Sequence, residues 1–195
     1  MHNDLRERIR AAAGRSPGPS AAIIDSQSVK GSEMIARTRR GYDAGKNING
    51  TKRHVAVDAL GLLLAVLITA ASVQDRDAAK PLLWNLRKAF PSVKLAWADG
   101  GYAGKLVTWA MTRLRLRLDI VKRPDDLHTF QVLPRRWVVE RTLAWITGHR
   151  RTVRDYERLA AHHETYVYWA MIIVMTRRLA RKPGPAGTAA QQQAA

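Results

Sequence analysis

The sequence contains no cysteine, which excludes disulfides and thiolate metal sites and gives no support to an oxidising compartment. Long apolar runs are missing too. The longest, residues 59–71, includes Gly61 and falls short of the ~20 residues that a membrane helix needs. Residues 1–14 carry charges throughout and have no apolar signal-peptide core. A cytoplasmic chain without a membrane partner is expected. Histidines are scattered (His54, His128, His149, His162, His163), and none has zinc-ligand spacing. No Ser-His-Asp arrangement can be built around Ser26 or Ser28. Acidic residues are scarce: 16 Asp and Glu stand against 33 Lys and Arg, a formal net charge of +17. A chain this basic meets the electrostatic criterion for a nucleic-acid partner.

Residues 1–20 read as an N-terminal connector, with a short charged helix at 5–13 leading into Gly14, Pro17, Gly18 and Pro19. Residues 21–24 are apolar, include two β-branched side chains and end at Asp25, which predicts a buried strand. Residues 31–49 lack a period and read as a loop. Residues 52–58 and 62–69 predict a hairpin turning at 58–61. Helical spacing follows over 77–90, with Leu82, Leu83, Leu86 and Phe90 on one face and Pro81 assigned to the first turn. A strand at 93–98 stops at Asp99. A helix at 105–114, a strand at 118–121 and a helix at 135–147 come next. A final helix at 162–181 is predicted to turn Tyr166, Trp169, Ala170, Ile173 and Val174 inward. Trp84, Trp109, Trp145 and Trp169 fit core faces. Residues 182–195 are low-complexity and read as a disordered tail. The order implies an α/β fold: a mixed sheet of about five strands with helices on both faces, as in an RNase H-like domain spanning 21–181.

With acids so few, their placement is informative. Asp25 and Asp99 each follow an apolar strand, which sets each carboxyl at the rim of the sheet, where open α/β sheets build sites. Glu140 sits inside the apolar stretch of the 135–147 helix, a costly place for a carboxylate without a partner. Three hard oxygen donors suit a cation such as Mg²⁺. Each also has an ordinary reading: strand-terminal Asp as turn former or helix cap, and Glu140 as a partner of Arg136 one turn earlier.

The segments AAIIDSQSVK (21–30), RGYDAGK (40–46), KRHVAVDALGLLLAV (52–66), TAASVQDRDAAK (69–80), WADGGYAGKLV (97–107), IVKRPDD (120–126), VLPRRWVVERTLAW (132–145) and HRRTVRDYERL (149–159) resemble insertion-sequence transposases of the IS-five type. The resemblance runs from about residue 21 to 181. It implies a DDE transposase with an RNase H-like core, whose catalytic and metal-binding carboxylates are Asp25, Asp99 and Glu140, with Arg136 four places before the Glu. Two Mg²⁺ ions, replaceable by Mn²⁺, are implied as cofactors. Double-stranded DNA, both element ends and target, is the implied partner, met by a homodimer in the nucleoid. Family members carry a further N-terminal region, so the expectation is of a truncated copy or the second frame of a split element. The segments 31–40 and 146–148 depart from the family pattern.

Lys30, Arg40, Lys46, Lys52 and Arg53 near the first strands, with Arg135, Arg136, Arg150, Arg151 and Arg154 around the Glu140 helix, are the cations expected to hold DNA. Trp137 is left open. The alternatives are a silent transposase fragment that only binds DNA, an RNase H-like nuclease without strand transfer, and a basic structural RNA-binding protein.

Overall fold

The computed structural model describes residues 1–121 and 136–181. The loop expected at 123–134, Arg135 and the tail at 182–195 lie outside the described residues. Five α-helices and six strands are found among the described residues: α1 (His2–Ala12), β1 (Ala21–Lys30), β2 (Gly41–Asp43), β3 (Ile48–Val57), β4 (Leu63–Ala70), α2 (Asp75–Ala89), β5 (Leu95–Ala98), α3 (Lys105–Leu114), β6 (Arg117–Ile120), α4 (Arg136–Thr147) and α5 (Ala160–Ala180). The strands form one mixed sheet. β3 pairs antiparallel with β1 on one side, and with β2 and β4 on the other. β1, β5 and β6 run parallel. This is the RNase H-like arrangement: an antiparallel hairpin beside the first strand, then parallel strands reached through helices.

Side chains alternate across a strand, so β1 feeds two cores. Ala22 and Ile24 pack with Leu82, Leu83 and Leu86 of α2 and with Leu106 and Ala110 of α3. Ile23 packs on the opposite face with Val138, Val139, Leu143 and Ile146 of α4 and with Val167 and Met171 of α5. A smaller core joins Ile9 of α1 to Leu62 and Met175, so the stretch expected to be a connector packs against the domain.

Several expectations change. β1 does not stop at Asp25 but continues to Lys30. Its polar half stays in the sheet because its hydroxyls find acceptors: Ser26 Oγ donates to Asp75 at 2.8 Å and Ser28 Oγ to Asp43 at 2.5 Å. The 31–49 stretch holds a 3₁₀ turn, Arg37–Arg39, and β2. Pro81 lies beyond the first turn of α2, which begins at Asp75. The inward face of α5 is His163, Val167, Ala170, Met171 and Met175, while Trp169 is 60% exposed and Ile173 is exposed. Trp84 also faces solvent. α5 is apolar on nearly all sides from Tyr166 to Met175, so its period could not choose the face.

A buried carboxylate ties the segment between α4 and α5 to the sheet. Asp155 is fully buried. Its oxygens accept from Thr51 Oγ1 and from the Glu157 amide, both at 2.9 Å, and lie 3.0 Å from His163 Nδ1 and 3.7 Å from Arg39. Burial pushes its pKa up, but His163 and the other donors outweigh that and hold it below the usual carboxylate value. A depressed native pKa contributes stability that is fully present above the unfolded-state value of 3.8 and is lost as pH falls below it toward the native value. Asp155→Ala leaves buried donors without an acceptor and should cost about 3–5 kcal/mol in urea denaturation at pH 7. Its difference from wild type should shrink in acid below that window.

Candidate active site

Asp25 and Asp99 are set side by side by strand register. β1 and β5 pair as Ala21 with Leu95, Ala22 with Ala96 and Ile23 with Trp97. The same offset, carried two residues on, aligns Asp25 with Asp99. β5 ends at Ala98 while β1 runs on, so the sheet opens where the two carboxylates emerge. Both share the face of Ile23 and Trp97, against which α4 packs. Asp99 keeps an extended backbone and caps the following 3₁₀ turn, accepting the Gly101 amide at 2.9 Å. Asp25 Oδ1 accepts the Ser26 amide at 2.7 Å.

α4 brings Glu140 to this face, and two hydrogen bonds fix the helix there. Thr142 Oγ1 donates to Gly61 O at 2.8 Å, and Thr147 Oγ1 lies 3.2 Å from Gln27 Oε1 of β1. Gly61 has a positive φ of 80°, and a Cβ there would stand 2.7 Å from Thr142 Oγ1, so this turn requires glycine.

Arg136 joins the acids. Its guanidinium is 3.7 Å from Asp99 Oδ2 and 3.5 Å from Glu140 Oε1. Both pairs are partly exposed and long, and such pairs contribute ~0–1 kcal/mol. Among the described residues, no three acidic or histidine side chains are gathered closely enough to hold one metal ion as they stand. Asp99 and Glu140 are thus linked through Arg136, and Asp25 lies beside Asp99, but the three carboxylates do not close on one point. Burial pushes Asp25 up to about 6, and the neighbouring Asp99 charge adds to the rise, against the Ser26 amide, Arg136 and Lys46.

The opposite face of β1 supports the site with residues that the sequence had marked as helix starts or turns. Asp75 takes the Ser26 hydroxyl and pairs with Lys52 at 3.2 Å, and lies 3.9 Å from the His54 ring, which burial holds neutral with a pKa of about 4. Tyr102 is buried near Asp25, Asp75 and Asp99, and burial pushes its phenol well up. The GGY triplet after Asp99 signalled only a turn.

Two expected DNA cations are corrected. Arg53 is fully buried and donates to Thr152 O at 2.5 Å. Burial lowers its pKa to about 10, opposed by Asp155. Lys52 is buried as well, donating to Val73 O at 3.0 Å beside Asp75 and Asp43. Both serve the interior, because alternate residues of a central strand face helices or loops instead of water. Lys30, Lys46, Arg150 and Arg154 are exposed, while Arg40 is half-buried. Arg151 is exposed but pairs with Glu157 at 2.9 Å and lies over Tyr166.

The class that the fold defines is an RNase H-like mixed sheet, here with one aspartate inside β1, another just past β5 and a glutamate on the covering helix. The chain matches the transposase DDE domain family over residues 16–175 and belongs to it. The protein assigned as transposase for insertion sequence element IS402 of Burkholderia cepacia is 29% identical over 143 residues, covering 68% of this chain. The match spans 65% of that relative's own length. Among solved structures, a simian T-cell lymphotropic virus intasome bound to PP2A regulatory subunit B56 gamma aligns with 93% of this chain and 62% of its own, at TM-score 0.44 and 14% identity. The Mos1 strand transfer complex aligns with 90% of this chain and 58% of its own, at TM-score 0.36 and 9% identity. No described helix is long and apolar enough to cross a membrane.

Asp25 gives the site a pH signature. A native carboxyl raised from 3.8 to about 6 keeps its proton while the unfolded chain loses it. Its ionisation therefore erodes stability as pH rises from about 4 through about 6. Carboxyl-carbon NMR of the metal-free protein should show Asp25 titrating near 6, and Asp99→Asn should move that midpoint down. An Asp25 midpoint in the ordinary carboxylate range would contradict this electrostatic account.

Proposed function

We propose that this chain is the catalytic domain of an insertion-sequence transposase that cuts and rejoins DNA phosphodiester bonds, using divalent metal ions held by Asp25, Asp99 and Glu140. The observation that carries the reading is the register that sets Asp25 beside Asp99 on the face covered by the Glu140 helix. The donor set fits a hard cation. Two carboxylates stand side by side, one inside β1 and one just past β5, the buried one is raised to about 6, and only weak pairs to Arg136 compete. Mg²⁺, or Mn²⁺ in its place, would supply Lewis-acid activation of the attacking hydroxyl and stabilisation of the leaving 3′-oxygen.

The chain's own residues do the rest. Asp25 and Asp99 present hard oxygens at the open end of the sheet. Arg136 lies between Glu140 and Asp99 and offers a fork to a phosphate oxygen. Burial around Tyr102 keeps the β1 side of the site dry, which strengthens its electrostatics. Lys30, Arg40, Lys46, Arg150, Arg151 and Arg154 would meet the DNA backbone, and a homodimer would serve the two element ends. The rival nuclease reading differs only in lacking strand transfer.

The test is a Mg²⁺- or Mn²⁺-dependent cleavage and strand-transfer assay on duplex DNA. Asp25→Asn, Asp99→Asn and Glu140→Gln should each lower both activities by at least about a hundredfold, the ~3 kcal/mol scale of losing a transition-state charge contact. Binding to the same duplex should change little. Activity equal to wild type in all three variants overturns the assignment, and cleavage without joining selects the nuclease.

A further inference from the structure

We propose that an arginine-lined cleft between α4 and α5 is a second phosphate-backbone site, which carries duplex DNA past the catalytic face. This inference rests on the reading of DNA as substrate and adds a surface that the sequence analysis did not assign. The cleft, of about 350 Å³, is lined by Arg141, Trp145, Val174, Arg177, Arg178 and Arg181.

Three observations favour an anionic occupant. First, four arginines line this one cleft and none has an acid within ion-pair distance among the described residues, whereas Arg39, Arg40, Arg136 and Arg151 each do. Arg177, Arg178 and Arg181 are exposed. The Arg141 guanidinium is held below its usual value by burial and by the charge of Arg178. A polyanion would relieve that repulsion.

Second, Arg141 is preorganised. Its guanidinium lies over the rings of Trp137 and Trp145, at 4.4 and 4.6 Å, and donates to Leu60 O at 3.2 Å. A stacked guanidinium gives up little further freedom on meeting a phosphate. This gives Trp137, 43% exposed, a role as the edge of an arginine platform.

Third, the cleft and the acidic site are two flanks of one helix. At 3.6 residues per turn, Arg136, Glu140 and Thr147 share one flank of α4, and Trp137, Arg141 and Trp145 share the other. The exposed crest between them carries the methyl of Ala144 and the 43% exposed ring of Trp137. A duplex lying across that crest can reach both flanks, with the Trp137 ring and the arginine stacked on it facing its backbone. Phosphates fit the charge and the forked donors. An acidic protein would meet the same charge, but it has no reason to run on toward Asp25 and Asp99.

The test compares wild type with a triple Arg177→Gln, Arg178→Gln, Arg181→Gln variant and the matching triple Lys variant, in duplex-DNA binding across a salt series. These side chains are exposed, and thermal melting checks that the fold is kept. Each phosphate contact adds about 0.9 to the slope of log K against log salt. The Gln triple should lose about 2–3 units of slope and bind more weakly at every salt concentration, and the Lys triple should restore most of that slope. A Gln triple with wild-type slope overturns the cleft site and leaves the catalytic assignment standing. A Lys triple as weak as the Gln triple also overturns it, because charge then does not explain the loss. Loss of cleavage in the Asp25→Asn variant with an unchanged slope separates the two claims. A wild-type chain that binds no duplex DNA overturns both.

Discussion

The parallel pairing of β1 with β5 is the constraint on which the rest depends. It covers only Ala21 to Ile23 on β1, while the antiparallel pairing with β3 continues to Lys30. β1 is therefore held firmly on one side and left open on the other, just where Asp25 and Asp99 come level. Parity then decides the chemistry. The face that takes Ile23 and Trp97 also takes the two aspartates, and α4 covers that face with Glu140 on its flank. A one-residue slip in this register would turn both acids toward α2 and α3 and dissolve the site.

Charge balance is the second theme. A chain of +17 keeps its few acids at places where they have tasks. Asp58 anchors the hairpin turn through the Leu60 and Leu62 amides and pairs with the buried Arg10 of α1 at 2.5 Å. Asp155 ties the segment before α5 to β3, and Asp75 neutralises Lys52 beneath the site. In the interior Arg10 and Lys52 are thus paired with acids, and Arg53 with the Thr152 carbonyl. The arginines of the α4–α5 cleft are left to an anion from outside.

Much of this was legible in the sequence, for definite reasons. The 52–69 hairpin, the Leu82–Leu83–Leu86 face and the strand ending at Asp99 follow from period and turn residues, since apolar burial alone dictates them. The two aspartates could be paired because each ended an apolar run. The second half of β1 was hidden: Ser-Gln-Ser reads as loop, and only Asp75 and Asp43, distant in sequence, make those hydroxyls at home in a sheet. Lys52 and Arg53 read as surface cations for the same reason, because the carbonyls that take their protons lie 21 or more residues away. The outward turn of Trp169 escaped because α5 is apolar all round. Arg136 lying between Asp99 and Glu140 needed coordinates, since nothing in one chain's spacing reveals how far apart two elements bring their oxygens.

The central claim is that Asp25, Asp99 and Glu140 serve one cation-holding spot. Backbone-amide NMR during a Mn²⁺ titration measures this most directly, because a paramagnetic ion broadens only the amides near it. The account predicts that the amides of Ser26, Gly101 and Glu140 broaden together at low ion concentration, and that Asp25→Asn weakens all three effects at once. Broadening confined to one of these places, or left untouched by Asp25→Asn, would contradict it.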